Sequence, residues 1–246
     1  MSASLEVTVC LTCPNRCRYC PRGHAVAAYC GPWMLSREDF TRYCRTVPPE
    51  VAIQFNGAGE PFGNPACADM ILDRHKEGHL VNVYTTLVGA SAWNLDRIGG
   101  VPFGSFCVHV PDDMGLSAMP LAAGSEYRAA LESVVRRPPM TNPRFVIHGG
   151  GVREDLRDIL PAAERQPIRP FAGLNEHMIP RGDHDWTVCR ASGGAFDHNH
   201  LMPDGTVYVC CHDWDLRNPI GNLGTDSWKD LRRGPIPLCR LCEYAI

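Results

Sequence analysis

Three cysteines stand close together near the start of the chain, Cys13, Cys17 and Cys20 in CPNRCRYC. Thiolates are soft ligands, and three of them on one short loop can be drawn to a single metal centre. A closed zinc site or a fully ligated iron-sulfur cluster takes four protein ligands, so a set of three leaves one metal position open. Two chemistries fit. One is a [4Fe-4S] cube with three irons held by cysteine and the fourth presented to an external ligand. The other is a zinc ion with three sulfurs and a water.

A second group lies towards the C-terminus. Fifteen residues separate Cys189 from Gly205, four separate Gly205 from Cys210, and CRLC supplies Cys239 and Cys242. Four thiolates make a closed site, again for an iron-sulfur cluster or for zinc. Cys211 adjoins Cys210, and neighbouring strand residues point to opposite faces, so only one of the pair can join the others. Among the remaining cysteines, Cys10, Cys44 and Cys107 fall in strand or helix patterns and read as small buried apolar residues.

These groups need a scaffold. Apolar, β-branched runs occur at EVTVCL near residue 8, VAIQF from Val51, LVNVYTT from Leu80, SFCVHV from Ser105, RFVIH from Arg144 and RPFAGLN from Arg169. Helical segments alternate with them: SREDFTRYCRTV capped by Ser36, PACADMILDRHKEG closing at Gly78, SAWNLDRIGG, SEYRAALESVVRR capped by Ser125, and REDLRDILPAAERQ. Strand and helix in alternation predict parallel strands with right-handed crossovers, in an open sheet or a barrel. In either, ligands sit at the carboxyl ends of the strands. The three-cysteine loop follows the first strand and NGAGEP follows the second, so both belong on that face. Residues 1–180 form this α/β unit. Residues 181–246 read as a small appendage: a hairpin turning at Asp204 and Gly205, a short helix capped by Asp226 or Ser227, and the CRLC tail. So small a piece predicts a metal staple for its stability.

The 246 residues are 44% hydrophobic with a net charge of −3. Such a chain can bury a full core and offers no basic field for a nucleic acid. No apolar run is long enough to span a bilayer, and MSASLEVTVC lacks the basic start of a signal peptide, which predicts a cytoplasmic protein. Close cysteine pairs in a reducing compartment favour metal ligation over disulfides.

A CxxxCxxC loop after a first β-strand and a glycine-rich acidic turn after the second resemble the radical S-adenosylmethionine (SAM) enzymes. The resemblance implies a partial (β/α)6 TIM-like barrel. It also implies a [4Fe-4S] cluster on Cys13, Cys17 and Cys20, whose open iron is chelated by SAM. One electron from a flavodoxin or ferredoxin-type donor then cleaves SAM to methionine and a 5′-deoxyadenosyl radical. Tyr19 would pack by the adenine. Backbone groups of Ala58 and Gly59, with the Glu60 carboxylate, would hold the SAM ammonium. Ala58 replaces a glycine usual in the family, and its methyl requires a negative φ there. Thr85, Thr86, His109 and His148 end strands on the face where the family contacts the SAM ribose and carboxylate.

The C-terminal spacing is similar to the opening of the SPASM pattern and, with the tail CxxC, to its shorter twitch form. That resemblance implies a second [4Fe-4S] cluster on Cys189, Cys210, Cys239 and Cys242, with Cys210 preferred to Cys211 by its distance from Gly205. A short barrel with one twitch cluster resembles the radical SAM aminocyclitol dehydrogenases, which oxidise a secondary alcohol to a ketone. The implied substrate is a small polar metabolite. His148, Arg153, Glu176 and His177 are the candidates for the base that takes the alcohol proton. Two other classes stay open: a radical SAM enzyme that modifies a peptide, and a non-catalytic zinc-stabilised binding protein.

Overall fold

A computed structural model of the protein describes residues 3–136, 143–168, 188–190, 195–242 and 244. Five parallel strands follow the predicted runs: β1 (Ser4–Thr8), β2 (Ala52–Asn56), β3 (Val81–Thr85), β4 (Ser105–His109) and β5 (Arg144–Ile147). Along each, side chains alternate between two faces. Leu5 and Val7, Ile53 and Phe55, Val81 and Val83, and Phe106 and Val108 are buried in one core. The alternate positions are more polar. Gln54 donates to Ser4 Oγ at 2.8 Å and Asn56 to Glu6 at 3.1 Å, so the hydrogen bonding of that face is satisfied between strands.

Helices α2 (Arg37–Cys44), α3 (Cys67–Lys76), α4 (Ala92–Ile98) and α5 (Ser125–Arg136) cover the apolar face, each packing on the next. Their buried residues recur at helical spacing, as in Tyr127, Ala130, Leu131 and Val134 of α5. Ser36 and Ser91 accept from the amides of Asp39 and Asn94, which are true N-caps. Ser125 is instead the first residue of α5, since the amide of Arg128 bonds to the carbonyl of Gly124. A further helix, α1 (Arg22–Ala28), follows the three-cysteine loop and was not signalled by a capping pattern.

The sixth element departs from expectation. REDLRDILPAAERQ forms one 3-10 turn, Glu154–Leu156, and then a two-residue strand β6 (Glu164–Arg165) beside β5. Pro161 has no amide to donate and bars a helix through the segment. Leu156, Ile159 and Leu160 are nevertheless buried, so the apolar positions serve the core without helical geometry. The strand expected at RPFAGLN from Arg169 lies outside the described residues.

The C-terminal hairpin is not packed apart from this unit. Strand β7 (His198–Leu201) runs parallel to β1 on the side away from β2. Strands β8 (Thr206–Tyr208) and β9 (Pro219–Asn222) then continue antiparallel, giving the order β6-β5-β4-β3-β2-β1-β7-β8-β9. The turn falls at Gly205, with φ +86. Leu201, Val207, Val209, Ile220, Leu223, Trp228, Leu231 and Ile236 enter the same core as the barrel strands. The apolar residues of the piece are thus buried by the barrel, not by a core of its own. The predicted short helix is a 3-10 turn, Trp228–Asp230, with Ser227 and Asp230 in a capping box.

Candidate active site

Cys13, Cys17 and Cys20 line one cavity of about 380 Å³ at the carboxyl ends of β1 to β4, together with Tyr19, Gly59, Glu60, Thr85, Thr86 and His109. The loop that bears the thiols is held on both sides. On one side the amides of Arg16 and Arg18 bond to the carbonyls of Ala118 and Leu116 at 2.7 and 2.9 Å. On the other, Asn15 donates to the Thr86 hydroxyl at 2.9 Å.

The segment from Asp112 to Ala118 is itself braced. The buried Asp112 carboxylate accepts from the amides of Met114, Leu116 and Ser117 at 3.1, 3.0 and 2.6 Å. Asp113 accepts from the Gly151 amide at 2.9 Å and from Arg157 at 2.8 Å. The glycine run at residues 149–151 is thus accounted for. Gly150 has φ +55, and a Cβ there would lie 1.7 Å from Asp113.

The turn after β2 sits flat on the end of β1. Gly57 takes the positive φ, +96, so Ala58 does not need it and its methyl is accommodated. A Cβ on Gly57 would lie 2.1 Å from Thr8 Oγ1, and one on Gly59 2.0 Å from the Cys10 carbonyl oxygen. Ala58 is buried against Ala25 and Trp214. Glu60 is also buried, and burial raises its pKa. Its Oε1 accepts from the Thr85 hydroxyl and from the Phe62 amide at 3.3 Å; its Oε2 accepts from the Thr86 amide and hydroxyl at 2.8 and 2.6 Å. Four donors fill the acceptor capacity of the carboxylate.

Three rings cluster where the thiol loop meets the ends of β4 and β5. Tyr19 lies against His148 with centroids 4.2 Å apart, and His109 stacks on His148 at 5.3 Å. His148 Nε2 is 3.2 Å from His109 Nδ1, and His148 Nδ1 is 3.2 Å from the Gln166 carbonyl oxygen. The Tyr19 hydroxyl is 3.0 Å from Ser117 Oγ. Arg153 takes no part: it does not line the cavity, and its guanidinium pairs with Asp155 at 2.6 Å and donates to the Ala122 carbonyl at 2.9 Å. Glu176 and His177 lie outside the described residues.

Do the thiols suit a [4Fe-4S] cluster with an open iron? The donor set does. Three cysteines face one cavity, and the nearest further cysteine, Cys10, is turned away, its buried thiol donating to the carbonyls of Glu60 and Thr12 at 3.1 and 3.4 Å. Burial pushes the Cys13 thiol up to about 11 and the Cys17 thiol up to about 12, so both need a bound cation to be thiolates at neutral pH. Among the described residues no three His, Cys, Asp or Glu side chains are arranged to hold one metal ion.

The C-terminal thiols form a second neighbourhood. Burial raises the pKa of Cys210, and Cys242 and Cys239 act in the same direction; burial raises that of Cys239, with Cys189 adding to it. All four are partly buried. Cys242 Sγ lies 3.6 Å from His212 Nδ1, and accepts from the Tyr244 amide at 3.5 Å. Sequence spacing gave no sign of His212.

The fold, a parallel sheet with a thiol-bearing loop after its first strand, is similar to that of solved radical SAM enzymes. Solved structures with this fold align along nearly the whole chain. BtrN in complex with AdoMet and 2-DOIA matches 94% of this chain and 81% of its own, with a TM-score of 0.63 and 15% identity. Streptococcus suis SuiB bound to precursor peptide SuiA matches 97% and 66%, at 0.58 and 11%. Native anSMEcpe with bound AdoMet matches 98% and 86%, at 0.53 and 13%. Neither a family model nor a curated protein matches the sequence. Among the described residues no helix is long and apolar enough to cross a membrane.

Proposed function

We propose that the protein is a radical SAM oxidoreductase that removes two electrons from a small polar metabolite, converting an alcohol to a ketone. The observation that carries this reading is the convergence of Cys13, Cys17, Cys20 and the turn at Gly57–Glu60 on one cavity. When bound, a [4Fe-4S] cluster supplies the electron that cleaves SAM to methionine and the radical that takes a substrate hydrogen atom.

The chain supplies position. Cys13, Cys17 and Cys20 are the residues that would hold the cluster. Ala58 and Gly59 offer backbone groups and Glu60 its carboxylate to the SAM ammonium, which would replace the hydroxyl donors of Thr85 and Thr86. Tyr19 borders the adenine. For the alcohol proton, the paired histidines are the best-placed acceptors among the described residues. The Gln166 carbonyl fixes a proton on His148 Nδ1, so in the neutral pair His148 Nε2 accepts from His109 Nδ1–H. A proton taken at His109, which lines the cavity, is stabilised by that partner.

Cys189, Cys210, Cys239 and Cys242 would close around a second [4Fe-4S] cluster. Such a cluster, closed by four cysteines, would supply an acceptor for the electron left on the substrate. Residues 181–246 are on this reading the twitch unit, and a flavodoxin or ferredoxin-type protein is the donor. A small substrate is supported by the likeness to BtrN, which was solved with AdoMet and 2-DOIA; SuiB, solved with a precursor peptide, supports the alternative of a peptide.

The test is anaerobic incubation of the reconstituted protein with SAM, dithionite and a panel of cyclic polyols and aminocyclitols. One ketone formed per 5′-deoxyadenosine is expected with at least one of them. Turnover only with a peptide would replace this reading by the peptide-modifying one, and 5′-deoxyadenosine formation that no added compound changes would sink the substrate assignment.

A further inference from the structure

We infer that His200, on β7 of the C-terminal hairpin, is a positioning residue for the turn at Gly57–Gly59, acting through the hydroxyl of Thr8 at the end of β1. The inference rests on the reading of that turn as the SAM-binding element.

Three buried groups make the connection. The Ala58 amide donates to Thr8 Oγ1 at 2.9 Å, and Thr8 Oγ1 lies 2.7 Å from His200 Nε2. Ala58, Thr8 and His200 are 1%, 0% and 2% exposed, so water does not substitute for any of these partners. An amide can only donate, so the threonine oxygen accepts from Ala58, and its remaining lone pair or its own hydrogen pairs with His200 Nε2. Burial holds the His200 pKa down to about 4, so the ring that braces Thr8 is neutral.

The turn has no slack with which to ignore this bond. At Gly57 the backbone lies so close to Thr8 that a methyl would meet Oγ1, and at Gly59 it lies as close to the Cys10 carbonyl. The direction of the Thr8 lone pair sets where the Ala58 amide stands, and through it the backbone of Gly59, which borders the cavity. His200 reaches Thr8 because β7 runs parallel to β1, with His200 in register with Glu6. The hairpin that carries Cys210 thus orients, through its first strand, the turn at the other cysteine site.

Four variants of the reconstituted full-length protein test this: His200→Leu, His200→Gln, Thr8→Val and Thr8→Ser. Equilibrium SAM binding without reductant, iron per chain, and KM and kcat for 5′-deoxyadenosine formation are measured on each. His200→Leu and Thr8→Val should weaken SAM binding and raise KM roughly tenfold, the scale of one lost buried hydrogen bond, with iron content and kcat held. Gln at 200 and Ser at 8 keep a hydrogen-bonding partner and the hydroxyl, and should restore most of the affinity. Variants that all bind SAM as wild type does would overturn the inference, as would iron lost in parallel with affinity. If His200→Leu does not fold, equal affinities for Thr8→Val and Thr8→Ser would overturn it alone. A wild-type protein that carries iron yet binds no SAM overturns the reading of the turn itself, and this inference with it.

Discussion

Glu60 joins the ends of three strands. Its carboxylate, on the turn after β2, collects the hydroxyls of Thr85 and Thr86 from the end of β3, and the Thr86 hydroxyl in turn accepts from Asn15 on the thiol loop. Removing the acceptor strands several buried donors, each costing about 1 to 3 kcal/mol. Glu60→Ala should therefore lower unfolding stability in urea by about 3 kcal/mol or more, while Glu60→Gln, which keeps one acceptor oxygen, should lose less. His200 makes the molecule sensitive to acid. Its folded pKa of about 4 lies below the ordinary 6.5, so the unfolded chain binds the extra proton first. This contribution is whole above pH 6.5 and is lost as pH falls towards 4, reaching about 3 kcal/mol. Denaturation curves at pH 7 and 4.5 should show a smaller acid penalty for His200→Gln than for wild type. Much of this was legible in residue identities: the thiols, the turn and the histidines at strand ends all occur where spacing put them. The Thr8–His200 bond was not, because it joins residues 192 apart whose meeting depends on which strand pairs with β1.

At the level of elements, period and caps located the first five strands and four of the helices, since alternating burial and serine caps are local properties. The fifth helix failed for an equally local reason. REDLRDIL has helical spacing, but Pro161 ends it, and burial of Ile159 and Leu160 is achieved from turns. Helix α1 escaped because RGHAVAA is short and begins after Pro21 without a side-chain cap. The turn after β2 is the element on which the site depends most. Gly57→Ala adds a Cβ at φ +96 and within 2.1 Å of Thr8 Oγ1. A strained φ costs about 1 to 3 kcal/mol before the clash is counted. This variant should lose SAM binding by calorimetry, while iron bound through the C-terminal cysteines persists.

Over the whole molecule, one sheet runs from β6 to β9, and the apolar residues of the hairpin are buried in the barrel's core. The sequence showed a hairpin but not its partner, since pairing of β7 with β1 is a non-local choice. A chain shortened to residues 1–190 would lose Leu201, Val207, Ile220 and Trp228 from that core and leave the edge of β1 unpaired. It should aggregate or bind hydrophobic dye, and a cooperative thermal transition in the shortened protein would contradict the shared core. The central claim, that the thiol loop holds a SAM-cleaving cluster distinct from a second one, is tested most directly by counting iron and labile sulfide after anaerobic reconstitution. Wild type and the Cys13→Ala, Cys17→Ala, Cys20→Ala triple variant would each also be assayed for dithionite-driven 5′-deoxyadenosine. About eight irons per chain should fall to about four, with 5′-deoxyadenosine abolished. Zinc in place of iron, or a wild-type protein that forms no 5′-deoxyadenosine, would contradict that claim.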